Sequence, residues 1–265
     1  MILSWMCGNV EVQCHHAGNG SKQRSKDKAT CFYPAPGLAG KKQEKERLLV
    51  SFQKILPDLS FVHFGYEERE NTCGYKIYGE YGSNRKAISQ MKDPFLIGLG
   101  FKWDVFQPER QVTTKYMCVP GLTQASMQAR IEDTFQTQAN AMLIDASKDI
   151  LKQSLEKIPL NDVIYLEVAD GNGPRRSFDI NVYDAGLQMK HIHQPIRKIF
   201  QHFSIPDSIY DSIYNPKNEY LFGHISGGVD RNRKAFITIY GGLEKHQDKN
   251  AVNDIRRVKC GEYKI

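Results

Sequence analysis

No apolar run in this chain approaches the ~18 residues that a membrane-spanning helix needs, and the cysteines form no CxxC pair. There is no Walker A loop for nucleotide phosphates, no Asp-rich DDxxD motif for a magnesium cluster, and no GxSxG elbow for a serine nucleophile. The six cysteines, at 7, 14, 31, 73, 118 and 260, are scattered. Cys14 with His15 and His16 is the one local hint of zinc, but paired clusters at ligand spacing are missing, so reduced free thiols are expected. Lys and Arg are absent from Met1 to Cys14, and Gly8, Asn9 and Glu11 interrupt the apolar residues there. That is a poor secretion signal, so a soluble, cytoplasmic protein is expected, without a membrane partner.

What is present suits a globular domain. The 265 residues are 40% hydrophobic and 25% charged, enough to build a core without disulfide or metal staples. These fractions exclude wholesale disorder, collagen, a disulfide-rich toxin and a multispan membrane protein. The formal charge of +6 is unevenly placed. Residues 1–47 hold eight Lys or Arg against four acids, which leaves only +2 for the rest. Nucleic acid is therefore not an expected partner, whereas a local basic pocket for a small anion remains open.

Residues 1–44 are rich in turn formers and charges, as in Gly18-Asn19-Gly20-Ser21 and Pro34-Ala35-Pro36-Gly37, and read as a flexible basic tail. The remainder, 45–265, reads as one domain. A short helix over about 45–56 is followed by a pattern repeated four times, two strand-like runs and then a helix-like stretch. The strand pairs are 60–67 with 74–81, 95–106 with 111–119, 162–169 with 177–184, and 220–229 with 234–241. The helical stretches are 83–92, a long one over 124–157, and 189–203, with a final helical stretch and a basic segment, 256–265, at the end. Apolar residues at helical spacing (Ile131, Phe135, Met142, Leu143, Ile150, Leu151, Leu155) mark the long helix. In the sixth strand Phe178, Ile180 and Val182 alternate with Ser177, Asp179, Asn181 and Tyr183. In the eighth, Ala235, Ile237 and Ile239 alternate with Lys234, Phe236, Thr238 and Tyr240. One face is thus apolar, suited to helices, and the other polar with tyrosines. The expected fold is α+β, an antiparallel sheet of repeated hairpin and helix units curling into a barrel, with helices outside and a polar lumen.

The polar faces repeat one theme, a cation or amide ahead of a Tyr: Lys76 and Tyr78, Asn181 and Tyr183, Lys234 through Thr238 to Tyr240, and Thr113-Thr114-Lys115-Tyr116. Ammonium, amide and phenol donors on one face can cradle a multiply charged phosphate. Tyr and Thr are common in strands and Lys at their edges, so a single pair needs no function to explain it. The recurrence in successive hairpins is what points to a site.

These elements resemble the soluble aromatic prenyltransferases of the ABBA or PT-barrel family, most of all the small bacterial and fungal branch acting on phenols and naphthalenes. The resemblance covers about 48–255 in element order, and its local matches are short. Gln111–Pro120 (QVTTKYMCVP) is similar to the family's fourth strand, Asp179–Tyr183 (DINVY) to its sixth, and the helix ending in FSIP and the strand KAFITIY to its next elements. The resemblance implies a barrel of ααββ-type units, and prenyl transfer from an allylic diphosphate to an electron-rich aromatic small molecule. Lys76, Thr114, Lys115, Asn181 and Lys234 would bind the diphosphate, and Tyr78, Tyr116, Tyr183 and Tyr240 would shield the allyl cation. Glu80, Asp104 and His224 are the candidate catalytic bases. The family's strand-four Lys aligns with Thr114, one position from Lys115, so which of them faces the lumen is open. Lys76 stands where magnesium-dependent members carry Asp, so no cofactor is expected and magnesium is not expected to be required. The family closes with ten strands, and this chain has room for about one after the eighth, so the barrel is incomplete or the N-terminal tail substitutes. A monomer in secondary metabolism is implied. The competing readings are a non-catalytic barrel carrying a hydrophobic ligand and a degenerate, inactive relative.

Overall fold

Alternation along the strands decides which side of the sheet takes the helices. In the computed structural model the described residues are 42–69, 72–82, 88, 90–104, 106–107, 110–135, 137–171, 173–215, 219–241 and 261–264. Most of the expected N-terminal tail, and the last helical stretch, lie outside them. Helix α1 (Lys42–Ile55) leads into two strands, β1 (Leu59–Arg69) and β2 (Thr72–Tyr81). They are followed by β3 (Phe95–Asp104), β4 (Gln111–Cys118), α2 (Gln124–Phe135), α3 (Ala141–Leu155), β5 (Ile164–Asp170) and β6 (Arg176–Asn181). Helices α4 (His193–His202) and α5 (Asp207–Tyr214) precede β7 (Phe222–Val229) and β8 (Ala235–Gly241), and β9 (Gly261–Lys264) comes last. The strands form one sheet in sequence order, every neighbouring pair antiparallel. The sheet curls into a half-barrel, and β1 and β9 stand at its two margins.

Phe178, Ile180, Ile225, Ile237 and Ile239 project from the convex face into the main core, where they meet Ile131, Phe135, Leu143, Ile150, Ile196 and Ile199 of the helices. Phe178 is fully buried, its ring edge-on to Phe135 at 5.9 Å. Gly227 lies under the same ring, and a Cβ there would stand 3.0 Å from Phe178 Cζ and 2.5 Å from Ile237 Cδ1. A smaller core puts Phe52 of α1 on Leu59, Val62, Ile77 and Phe101, the convex side of β1–β3.

The single long helix expected over 124–157 is two helices. Thr137 is extended (φ −137°, ψ 142°), and Asn140 Nδ2 donates to the Phe135 carbonyl at 3.2 Å, ending α2. A 3₁₀ turn over Gln138–Asn140 then starts α3 in a new phase, which leaves Met142 outside the apolar face that its spacing assigned to it. α4 stops where Ser204 turns left-handed (φ 53°) and Ile205 N donates back to the Phe200 carbonyl at 2.9 Å. α5 follows, an element with no counterpart among the expected ones. Among the described residues no helix is long and apolar enough to cross a membrane.

The turns β3–β4, β5–β6 and β7–β8 lie at one end of the sheet, and the helical connections leave from the other. In the β7–β8 turn Asp230 Oδ1 accepts from the amides of Asn232 (2.8 Å) and Lys234 (2.9 Å), a local bond that replaces ladder pairing. Truncating Phe178 to Ala should cost about 3–5 kcal/mol, because the rigid helix–sheet layer cannot collapse onto the space. Urea unfolding of Phe178→Ala checks this, with a loss under 1 kcal/mol contradicting the packing.

Candidate functional site

On the concave face the same alternation presents Lys76, Tyr78 and Glu80 from β2, and Gly98, Gly100 and Lys102 from β3. The two glycines leave a floor without side chains. A Cβ at Gly98 would lie 2.6 Å from Tyr78 Oη, and one at Gly100 would lie 3.4 Å from Tyr116 Cε2 and 3.8 Å from Lys76 Cε. The rings of Tyr78 and Tyr116 therefore lie over β3 and meet at 4.8 Å, edge to face. The Lys76 ammonium is 5.8 Å from the centroids of both rings, within cation–π range.

Curling brings β2 within electrostatic reach of β6 and β7. Glu80 accepts a hydrogen bond from Tyr78 and feels the charges of Asp179 and His224. His224 Nδ1 is 2.8 Å from Asp179 Oδ1, and the carboxylate can only accept, so Nδ1 carries the proton. The imidazole stacks on Tyr240 at 3.6 Å with an interplanar angle of 19°, and Tyr183 lies 5.5 Å away. Asn181 Nδ2 lies 3.4 Å from the same Asp179 oxygen, while its own Oδ1 is buried without a hydrogen-bond partner. Burial, with Asp179 adding to it, pushes the Glu80 carboxyl up to about 7 against the lowering effects of the Tyr78 hydrogen bond and His224. Burial, then the Glu80 charge, holds the Tyr78 phenol well above its ordinary value.

The hairpin end of this face carries several cations. Lys76 pairs in register with Lys102, cation opposite cation on one face. Asp170, with its side chain 3% exposed, accepts from Thr114 Oγ1 at 2.8 Å and from Arg231 Nε and Nη2 at 2.6 and 3.1 Å. That ties the β7–β8 turn to β4 and β5. The Arg175 guanidinium sits 5.5 Å from the Phe236 ring, with its Nε buried and without a hydrogen-bond partner. At the opposite end of β4 and β5 the face is apolar: Ile88 packs there with Ile97, Cys118, Leu166 and Val168, and burial pushes the Cys118 thiol up to about 11.

The curl thus gathers Lys76, Tyr78, Glu80, Thr114, Tyr116, Asn181, Tyr183, His224 and Tyr240 on or beside one concave surface. Three expected site residues lie elsewhere. Thr114 faces inward, so Lys115 is exposed on the convex side. Lys234 is exposed in the β7–β8 turn, one residue before β8. Asp104 Oδ1 accepts from the turn amides of Phe106 (2.8 Å) and Gln107 (3.0 Å), at the hairpin end rather than beside Glu80 and His224. Sequence reasoning passed over Asp179, Lys102, Asp170, Arg175 and Arg231. The alternation Gly98, Gly100, Lys102 carried a usable signal, since small residues at every second strand position mark a face covered by its neighbours.

No family model, curated protein or solved structure matches the chain. Among the described residues no group of His, Cys, Asp and Glu is arranged to hold a metal ion. The raised Glu80 carboxyl has a sign that can be tested. The folded chain holds this proton more tightly than the unfolded one, so its contribution to stability is complete below about 4.5 and is lost as pH rises through about 7. The melting temperature of the unsubstituted protein should therefore fall more between pH 5.5 and 8 than that of Glu80→Gln. Parallel slopes in thermal unfolding would remove the linkage.

Proposed function

We propose that the protein transfers an allylic prenyl group from a prenyl diphosphate to an electron-rich aromatic small molecule. The observation that carries this reading is the order of chemistry along the concave face, with cations at the hairpin end, tyrosine rings in the middle, and an acid–base group beyond them. Lys76, Lys102 and Thr114, with Arg231 held beside them by Asp170, would take the diphosphate and stabilise it as the allylic C–O bond breaks. The faces of Tyr78 and Tyr116 would stabilise the allyl cation and keep water from it. The aromatic acceptor would sit between those rings and the Glu80, Asp179 and His224 group, where its orientation sets which carbon attacks.

The resemblance to the PT-barrel enzymes supports the same reading, and with it the finer architecture of ααββ units closing as a barrel. Lysines opposite one another supply the charge that magnesium supplies elsewhere, so activity is expected to survive chelation. A monomeric cytoplasmic enzyme of secondary metabolism belongs to the same proposal. A second reading, a carrier of hydrophobic ligands without catalysis, is favoured by the buried patch of Ile88, Leu166 and Val168 on this face.

Titration calorimetry with dimethylallyl and geranyl S-thiolodiphosphates in EDTA separates the two. Binding should be micromolar, fall at least ~10-fold in Lys76→Ala through loss of a charged hydrogen-bond donor, and stay unchanged in Lys115→Ala, whose side chain faces away. Equal affinity for the diphosphate and for dimethylallyl alcohol would identify a carrier. Diphosphate binding without product from any phenol or naphthol acceptor would identify an inactive relative.

A further inference from the structure

We propose that Asp179 and His224 form an oriented base, in which Asp179 holds the Nδ1 proton so that Nε2 is the nitrogen that takes the proton released by the aromatic acceptor. The inference rests on the prenyl-transfer reading above. His224 and Asp179 side chains are 13% and 9% exposed, and their 2.8 Å contact joins neighbouring strands diagonally rather than directly opposite. Two further contacts fix the ring and the carboxylate. Tyr240 stacks on the imidazole at 3.6 Å and prevents it from flipping freely, and Asn181 lies 3.4 Å from the Asp179 oxygen that receives the proton. The pair lies close enough across the concavity to act electrostatically on Glu80, whose hydroxyl partner Tyr78 also flanks Lys76. The tyrosine rings therefore lie on the same concave face as Lys76 and this pair.

The step balances without a further reactant. The allylic C–O bond breaks, and its electron pair leaves with the diphosphate. The ring's π electrons form the new C–C bond to the allylic carbon. Nε2 then takes the proton from the ring carbon that was attacked, the C–H pair restores the aromatic system, and the imidazolium passes the proton to water. His224 is the catalytic residue in this step, and Asp179 is a positioning residue. A histidine without a carboxylate at Nδ1 would be free to adopt the other tautomer, which has no basic Nε2.

The test uses the full chain labelled with ¹⁵N-histidine, with His224→Gln identifying the signal. The unsubstituted protein should show His224 protonated at Nδ1 at neutral pH, and Asp179→Asn should move the proton to Nε2, because an amide nitrogen donates to Nδ1. In Asp179→Asn, kcat with dimethylallyl diphosphate should fall by about 100-fold, the scale of general-base catalysis, while affinity for the thiolodiphosphate stays unchanged. An Nε2-protonated His224 in the unsubstituted protein overturns the dyad whatever the substrate. The expected tautomer with an undiminished kcat in Asp179→Asn overturns the catalytic role alone. The expected tautomer in a chain that binds diphosphate but transfers nothing overturns prenyl transfer, and the role of the dyad with it.

Discussion

The concave surface depends on the missing side chains of β3. A half-barrel of antiparallel strands has little room inside its curve, and large residues at every inward position would fill it. Gly98 and Gly100 release that room at the middle of the face, and β2 and β4 use it. Tyr78 and Tyr116 lie down over the bare backbone, and their rings bracket the Lys76 ammonium. A Cβ at Gly98 would push the Tyr78 ring up into the concavity, and Lys76 would lose one of the surfaces that hold it. The site is thus built by subtraction on one strand and addition on its two neighbours.

That arrangement separates charge along the strands. The ladder places Lys76 and Lys102 side by side towards the turns, whereas Glu80, Asp179 and His224 lie nearer the helical connections. Between the two groups are aromatic rings, which screen little and attract cations. A proton held at the second group keeps two facing carboxyls from ionising together. The face is therefore polarised along its strands, with its main apolar contacts on the convex side.

Much of this layout was legible because a sheet writes its two faces into every second residue. The alternation of Phe178, Ile180 and Val182 with Asp179 and Asn181 gave the helix side and the polar side of β6, and the same reasoning served β8. What stayed hidden depends on register, which a single strand does not contain. Thr114 and Lys115 are adjacent, and only the pairing of β4 with Gly100 and Asp170 decides that the threonine looks inward. Lys102 became meaningful only once it stood opposite Lys76. The division of the long helix was hidden for another reason. Apolar spacing runs on through residues 136–140 with a change of phase, and the extended Thr137 and the Asn140 cap are local hydrogen-bond choices that periodicity does not register.

The acids Asp104 and Asp170 at the hairpin end serve the fold itself. Asp104 spends its oxygen on the amides of its own turn, and Asp170 is committed to Arg231 and Thr114 in a buried three-way contact. Asp170 also accepts both donors of one guanidinium edge, so Arg231 is fixed in direction, and the turn that carries it is fixed to β4 and β5.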